Sequence, residues 1–313
     1  MKTKLDYVSG RTILPEGEEG ISPSQFHRFF DKPHDWYNTE ILGKEGFTGS
    51  TASVLGTICH FIAEDYTKTG MVDQGEMWKY LYTQGKVPDT NTTKFLSLLK
   101  EFAVLDPAPD DETYDDDVRY KDDAKCDIEE LLSEKWVNPD IDVDVILDQY
   151  KPMGNALIQY IRSNGVPSHS EDLIHAPVIP GISVCGSCDA AQGTKSSLCI
   201  EDYKTTSALS APKTIPYAYK LQLLIYAFIY TALGYRVNRI RIIWITRNDV
   251  NRVGAKGNSI KDYPSTVTQV TEYIDLSDID FISSLLKLVA ETMKKAKEDP
   301  SLVYLLFKDY RLK

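Results

Sequence analysis

Two apolar stretches, Ser183 to Ala191 and Ser197 to Lys204, flank the short polar segment Gln192-Gly193-Thr194-Lys195-Ser196. Strand-forming residues either side of a brief glycine-containing break read as a β-hairpin. Asp189 and Asp202 lie symmetrically about the gap between Lys195 and Ser196. In an unbulged hairpin turning there, their carboxylates sit opposite each other, with Cβ atoms ~5 Å apart. Lys204, two residues beyond Asp202, projects from the same face. Leu198 and Ile200, earlier on that face, are apolar, so the charges sit at the end of a strand that otherwise belongs in a core. Charges buried without partners lose much of their solvation energy. The pattern demands either a solvated Asp–Lys ladder or a bound species that neutralises two carboxylates.

The flanking pattern favours an α/β chain. Leu173 to Val178, Arg239 to Thr246 and Thr266 to Leu276 read as strands, and Ala218 to Leu233 as a helix ending at Gly234. Asp278 to Lys297 reads as a closing amphipathic helix. Upstream, Ser22 or Ser24 caps a helix bearing Phe26, Phe29 and Phe30, interrupted at Lys32-Pro33 and resumed from Trp36 to Leu42. Gly43 to Gly49 is a loop, and Thr51 to Tyr66 a helix with Val54, Leu55, Ile58, Phe61 and Ile62 at helical spacing. Residues 67–170 read as mostly helical, including Thr92 to Leu105, Asp127 to Lys135 and Pro152 to Ser163. A helix crossing between strands indicates a mixed sheet flanked by helices, α/β (α+β) in class. Three segments follow: residues 1–66, N-terminal helices; 67–170, a helical, acidic insertion; and 171–313, the sheet with its C-terminal helices.

The net charge of −11 over 313 residues would argue against a polyanionic partner, but it is unevenly placed. Residues 106–148 hold 17 acidic and four basic side chains, a balance of −13, and the remaining chain is +2. The acidity therefore describes one segment and excludes no substrate. It reads as solvated helix and loop, or as a docking element that competes with a polyanionic ligand for a basic channel.

Five scattered cysteines are no disulfide framework, the N-terminus lacks a secretory pattern, and the longest nearly apolar run, Leu221 to Leu233, is too short to cross a bilayer. A cytoplasmic protein without membrane contact is expected. Cys185-Gly-Ser-Cys188 lies in a strand, where residues three apart face opposite ways, so it reads as buried thiols rather than a metal site.

If the charged hairpin end is a site, its chemistry is that of a hard divalent cation. Carboxylate oxygens of Asp189 and Asp202, with the backbone carbonyl of Tyr203, suit magnesium, and Lys204 would orient water and offset charge on a phosphorane.

Further positions give this reading a family. Gly186-Ser-Cys-Asp189 followed by Asp202-Tyr-Lys-Thr205 resembles the core of the PD-(D/E)XK nuclease superfamily, specifically its RecB/RecE-type, phage-like exonuclease branch. Gly56-Thr-Ile-Cys-His60, with Glu64 one turn later, resembles that branch's Gly-x-x-x-His helix, and Gln222-Leu-Leu-Ile-Tyr226 its Gln-x-x-x-Tyr helix. Ser22-Pro-Ser24, then Pro33-His-Asp-Trp36-Tyr37, is similar to its opening motif. These motifs cover residues ~20–66 and 171–230; the stretch between them matches nothing in the family.

The resemblance implies a restriction-endonuclease-like fold and a magnesium- or manganese-dependent deoxyribonuclease. Asp189, Asp202 and Lys204 would be catalytic. His60, Asp189, Asp202 and the Tyr203 carbonyl would bind metal, Gln222, Tyr226, Ser24 and Thr205 substrate, with Glu64 and Glu171 as outer acids. Lys32 precedes Pro33 and no cysteine follows Cys199, so the iron–sulfur cluster of many RecB-like members is not expected; nor is a nucleotide cofactor. The leading expectation is an exonuclease acting at DNA ends in recombination, repair or phage DNA processing. Its expected partner is DNA; a homo-oligomer or a single-strand annealing protein would be further partners. The alternatives are a structure-selective or single-strand endonuclease, or a DNA-binding subunit with a vestigial site.

Overall fold

The computed structural model describes Leu14 and residues 17–42, 50–83, 143–207, 212–247 and 265–299. The loop expected at Gly43 to Gly49, the helices expected at Thr92 to Leu105 and Asp127 to Lys135, and most of the acidic segment lie outside these residues.

Among the described residues the first element is a short strand, β1 (Glu19–Ile21), then α1 (Pro23–Asp31) and α2 (Pro33–Trp36), which runs into a π-helical turn, Tyr37–Ile41. Next come α3 (Thr51–Thr69), α4 (Gln74–Thr83) and α5 (Val143–Asn164). Strands β2 (His169–Ile179), β3 (Ile182–Thr194) and β4 (Ser197–Thr206) follow, then α6 (Tyr217–Ala232), β5 (Val237–Thr246), β6 (Val267–Tyr273) and α7 (Leu276–Glu298). No helix among the described residues is long and apolar enough to cross a membrane.

The six strands form one mixed sheet in the order β1-β3-β4-β5-β6, with β2 on β3. The β3–β4 hairpin has the expected register, from Thr194↔Ser197 to Ala190↔Glu201. Beyond that pair the strands part. β4 continues in parallel with β5 as far as Thr206↔Thr246, while β3 stays paired with β2 and meets β1 only at Ile182, Ser183 and Val184. One edge of β3 is thus held at both ends and open between.

Each face of the sheet carries a core. α1, α6 and α7 cover one, with Leu198, Ile200, Ile240 and Ile242 beneath; α3, α4 and α5 cover the other, over Ala190, Tyr203, Ile243 and Ile245. α3 starts at a Ser50–Ser53 capping box and stops at left-handed Gly70, so its boundaries are set locally. α5 begins well before Pro152, where the sequence pattern starts its helix. Ile146, Tyr150, Met153, Leu157 and Ile161 are all buried at helical spacing through the proline, and that packing outweighs the missing backbone hydrogen bond. Because α5 shares its core with α3 and the sheet, this part of residues 67–170 is built into the main body, and a boundary at 170/171 falls inside β2. β1 was not anticipated: three residues are too few to show a period.

Gly193, just before the β3–β4 turn, has φ +133, and a Cβ there would lie 2.2 Å from the Ser197 carbonyl oxygen. Gly193→Ala is therefore expected to lower unfolding free energy by about 1–3 kcal/mol, read from the urea midpoint. An unchanged midpoint would mean that the turn is not held as described.

Candidate active site

The open edge of β3 is where the charged residues gather. α6 and the start of α1 fill its mouth. Tyr226 donates its hydroxyl hydrogen bond to the Ser187 carbonyl, and a Cβ on Gly186 would lie 3.0 Å from both Pro23 Cδ and the Tyr226 hydroxyl oxygen. A side chain there would have to push these neighbours back by a few tenths of an ångström. Through the Tyr226 hydroxyl, an edge carbonyl that lost its strand partner regains one.

Asp189 and Asp202 lie one position past the last β3–β4 pair, on the two sides of the fork. Asp189 Oδ2 accepts the Tyr203 N–H at 3.0 Å, while its Oδ1 is 3.3 Å from His60 Nδ1 on α3. Asp202 is almost wholly buried; its Oδ1 accepts from Gln222 Nε2 at 3.2 Å, and Lys204 Nζ lies 2.5 Å from its Oδ2. That second contact joins a charged ammonium to a buried carboxylate.

A third carboxylate completes the group. Glu171 Oε1 is 3.6 Å from His60 Nδ1, and Ser187 donates to Glu171 Oε2. Ligand atoms of His60, Glu171 and Asp189 all lie within 4.8 Å of one another. Glu171 gets there by an unusual backbone: at φ 50 it is the one non-glycine residue with positive φ among those described. Ser170 pairs with Ala190 and Asp172 with Cys188, so Glu171 stands across the ladder from Asp189. Both strands turn over at this rung. His169 and Asp172, three apart, meet on the α6 side, with His169 Nδ1 2.6 Å from Asp172 Oδ2 and both beside Tyr230. On β3, Cys188 and Ala191 pack in the α6-side core while Ala190 packs in the other.

The charges perturb one another. Partial burial would lower the His60 pKa, but the Asp189 carboxylate and the contact with Glu171 raise it to about 10. Burial raises the Asp189 pKa, yet His60 and Lys204 outweigh it and hold the carboxyl well below the usual range. For Asp202 burial dominates; with Asp189 beside it, its pKa rises despite Lys204. Lys204 is driven further toward the charged form, since Asp202 and Asp189 outweigh the effect of burial. Such opposed shifts within one cleft mark a functional candidate.

Three carboxylates, an imidazole and a lysine at an opening in a sheet fit a divalent cation. The oxygen-rich donors and the excess negative charge are what such an ion balances, and Asp202 Oδ2 retains lone-pair capacity.

The sequence-derived residues distribute as follows. His60, Asp189, Asp202, Lys204 and Gln222 converge. Tyr226 is buried, its hydroxyl committed to Ser187. Thr205 lies beside Gly56 of α3, its hydroxyl oxygen 4.0 Å from a Cβ placed there. Ser24 is exposed, 3.0 Å from the Ser22 hydroxyl. Glu64 pairs with Lys68 and is not in the His60 cluster. Nor is Asp202 one of that trio, its place being taken by Glu171.

A model of the PD-(D/E)XK nuclease superfamily matches residues 20–300. No curated protein matches the sequence. Similar solved structures include a "putative exonuclease" from Eubacterium rectale, 10% identical, covering 95% of this chain and 87% of that one with a TM-score of 0.47. LHK-Exo in complex with dAMP is 15% identical over 54% of this chain and 76% of its own, TM-score 0.31. Another structure of LHK-Exo, an alkaline exonuclease from Laribacter hongkongensis, is 14% identical over 68% and 90%, TM-score 0.26.

The geometry separates the two outer acids. Glu171→Gln is expected to weaken manganese binding about tenfold or more in calorimetric titration, whereas Glu64→Gln leaves it unchanged. Equal effects of the two changes would dismiss the cluster as the binding site.

Proposed function

The chain belongs to the PD-(D/E)XK nuclease superfamily, and from that premise we propose that it is a metal-dependent deoxyribonuclease acting at DNA ends. The observation that carries the proposal is the convergence of Glu171, Asp189 and Asp202 with His60 and Lys204 at the fork of β3 and β4. His60, Glu171 and Asp189 would hold a divalent cation, and Asp202 and the Tyr203 carbonyl would be further oxygen donors to it. The oxygen donors favour magnesium, and the imidazole extends the choice to manganese. When bound, the cation supplies Lewis acidity toward water and a phosphodiester oxygen.

The protein's own groups do the rest. Water oxygen forms a bond to phosphorus and gives up a proton to solvent, the bond from phosphorus to the leaving sugar oxygen breaks and that oxygen takes up a proton, and negative charge grows on the non-bridging oxygens in between. Lys204, fixed by Asp202, places an ammonium beside that charge in a site where it need not reorganise. Gln222 keeps Asp202 from rotating away. Resemblance to the RecB/RecE-type motifs, with lysine before Pro33, supports an exonuclease without an iron–sulfur cluster, and recombination, repair or phage DNA processing as its setting.

The test uses duplex and single-stranded DNA labelled at the 5′ or 3′ end, and covalently closed circles, with magnesium or manganese. We expect nucleotides to be released from ends while circles persist. Lys204→Ala and Asp202→Asn should each reduce cleavage about a hundredfold or more, with DNA binding by anisotropy largely kept. A wild-type protein inert on every substrate would overturn the proposal, and circles cut as fast as ends would replace exonuclease with endonuclease.

A further inference from the structure

Lys204 is held from two directions. Its Nζ lies 2.5 Å from Asp202 Oδ2 and 5.3 Å from the centroid of the Tyr219 ring on α6. Tyr219 is in turn backed by Trp244, the two ring centroids 5.8 Å apart and the planes at 65°. Trp244 is the residue of β5 directly in register with Lys204, so the lysine, its ring and the ring's support come from β4, α6 and β5. Trp244 is 4% exposed, and its buried indole nitrogen has no hydrogen-bond partner among the described residues. Packing alone would be served better there by a phenyl ring, which buries no unsatisfied donor. The position therefore uses the indole's size and ring surface.

We propose that Tyr219, braced by Trp244, is a positioning residue that seats the Lys204 ammonium at the fork. This rests on the reading of Lys204 as the cation of the nuclease site. A lysine head is a compact charge with freely rotating donors on a long stem, so one carboxylate sets its distance but not its direction. A ring face attracts the ammonium without engaging an N–H donor in a directed hydrogen bond, so it adds a second constraint and leaves donors for substrate oxygens. With the lysine side chain 20% exposed, the attraction acts partly out of water.

The same helix face makes further contacts at related spacing. Tyr219 reaches Lys204, Gln222 reaches Asp202, and Tyr226 reaches Ser187. Positions i, i+3 and i+7 share one side of a helix, so a single rigid element addresses both arms of the fork. No hydrogen bond to the Tyr219 hydroxyl is found among the described residues; the ring is the working part, and phenylalanine should replace it.

The experiment compares Tyr219→Leu with Tyr219→Phe in the full chain. Steady-state cleavage of end-labelled DNA and the melting temperature are measured for each. The chemical shift of the Lys204 ε-methylene, identified by its loss in Lys204→Arg, is read by NMR. We expect Tyr219→Leu to lower kcat about tenfold with KM within about twofold and melting unchanged, and Tyr219→Phe to restore kcat. The lysine resonance should show an aromatic ring-current displacement in wild type and Tyr219→Phe, and lose it in Tyr219→Leu. A wild-type kcat in Tyr219→Leu, a change confined to KM, or a lysine resonance alike in both variants would overturn the inference. If the wild type cleaved no nucleic acid, the proposed function would fall, while the resonance would still decide whether Tyr219 seats the lysine.

Discussion

Like charges brought together in a partly dry cleft are the constraint on which this structure turns. Three carboxylates approach one another where the sheet opens, with one imidazole and one ammonium to oppose them. Left alone they would separate or take up protons, since few effects in a protein are as costly as uncompensated charge away from water. Each is therefore restrained from a different element. Tyr203 on β4 donates to Asp189, Gln222 on α6 to Asp202, and Ser187 on β3 to Glu171. The left-handed backbone at Glu171 belongs to the same account, for strain of that kind persists only where surrounding contacts enforce it.

Much of this site was legible because one hairpin has no irregularity. The ladder runs unbroken to Ala190↔Glu201, so counting residues from the turn sets the two acids on facing rungs; it does not show that β3 turns over there, taking Asp189 to His60 on α3 while Asp202 meets Gln222 on α6. Glu171 escaped the same arithmetic for a definable reason. β2 and β3 join at Pro180-Gly181, and an unbulged hairpin turning there would set Asp172, not Glu171, against Asp189. The register shifts by one between Pro177 and Ile179, which exchanges the two. Single-residue bulges move every later side chain to a new partner, and nothing in Pro177-Val178-Ile179 announces one. Likewise α5 was read short because proline normally ends a helix, and only the buried residues on both sides of Pro152 reveal that this one continues.

The cysteines illustrate the opposite case, where a conspicuous pattern means little. Cys185 and Cys188 are both buried, and the His60 cluster contains no thiol. Burial raises the pKa of Cys188 and pushes Cys59 and Cys199 up to about 12, so these three stay neutral and behave as small core residues. Burial of both thiols agrees with the expectation from sequence.

α6 has a consequence beyond the contacts it makes. Strand spacing elsewhere in the sheet is set by backbone hydrogen bonds, but at the fork those bonds are missing, and the helix spans the gap from Lys204 to Ser187. The seven steps from Tyr219 to Tyr226 rise about 10 Å along the axis. The helix thus acts as a ruler. It fixes the aperture of the cleft by a repeat that side-chain substitutions barely alter, so the gap should hold its width while the residues lining it vary.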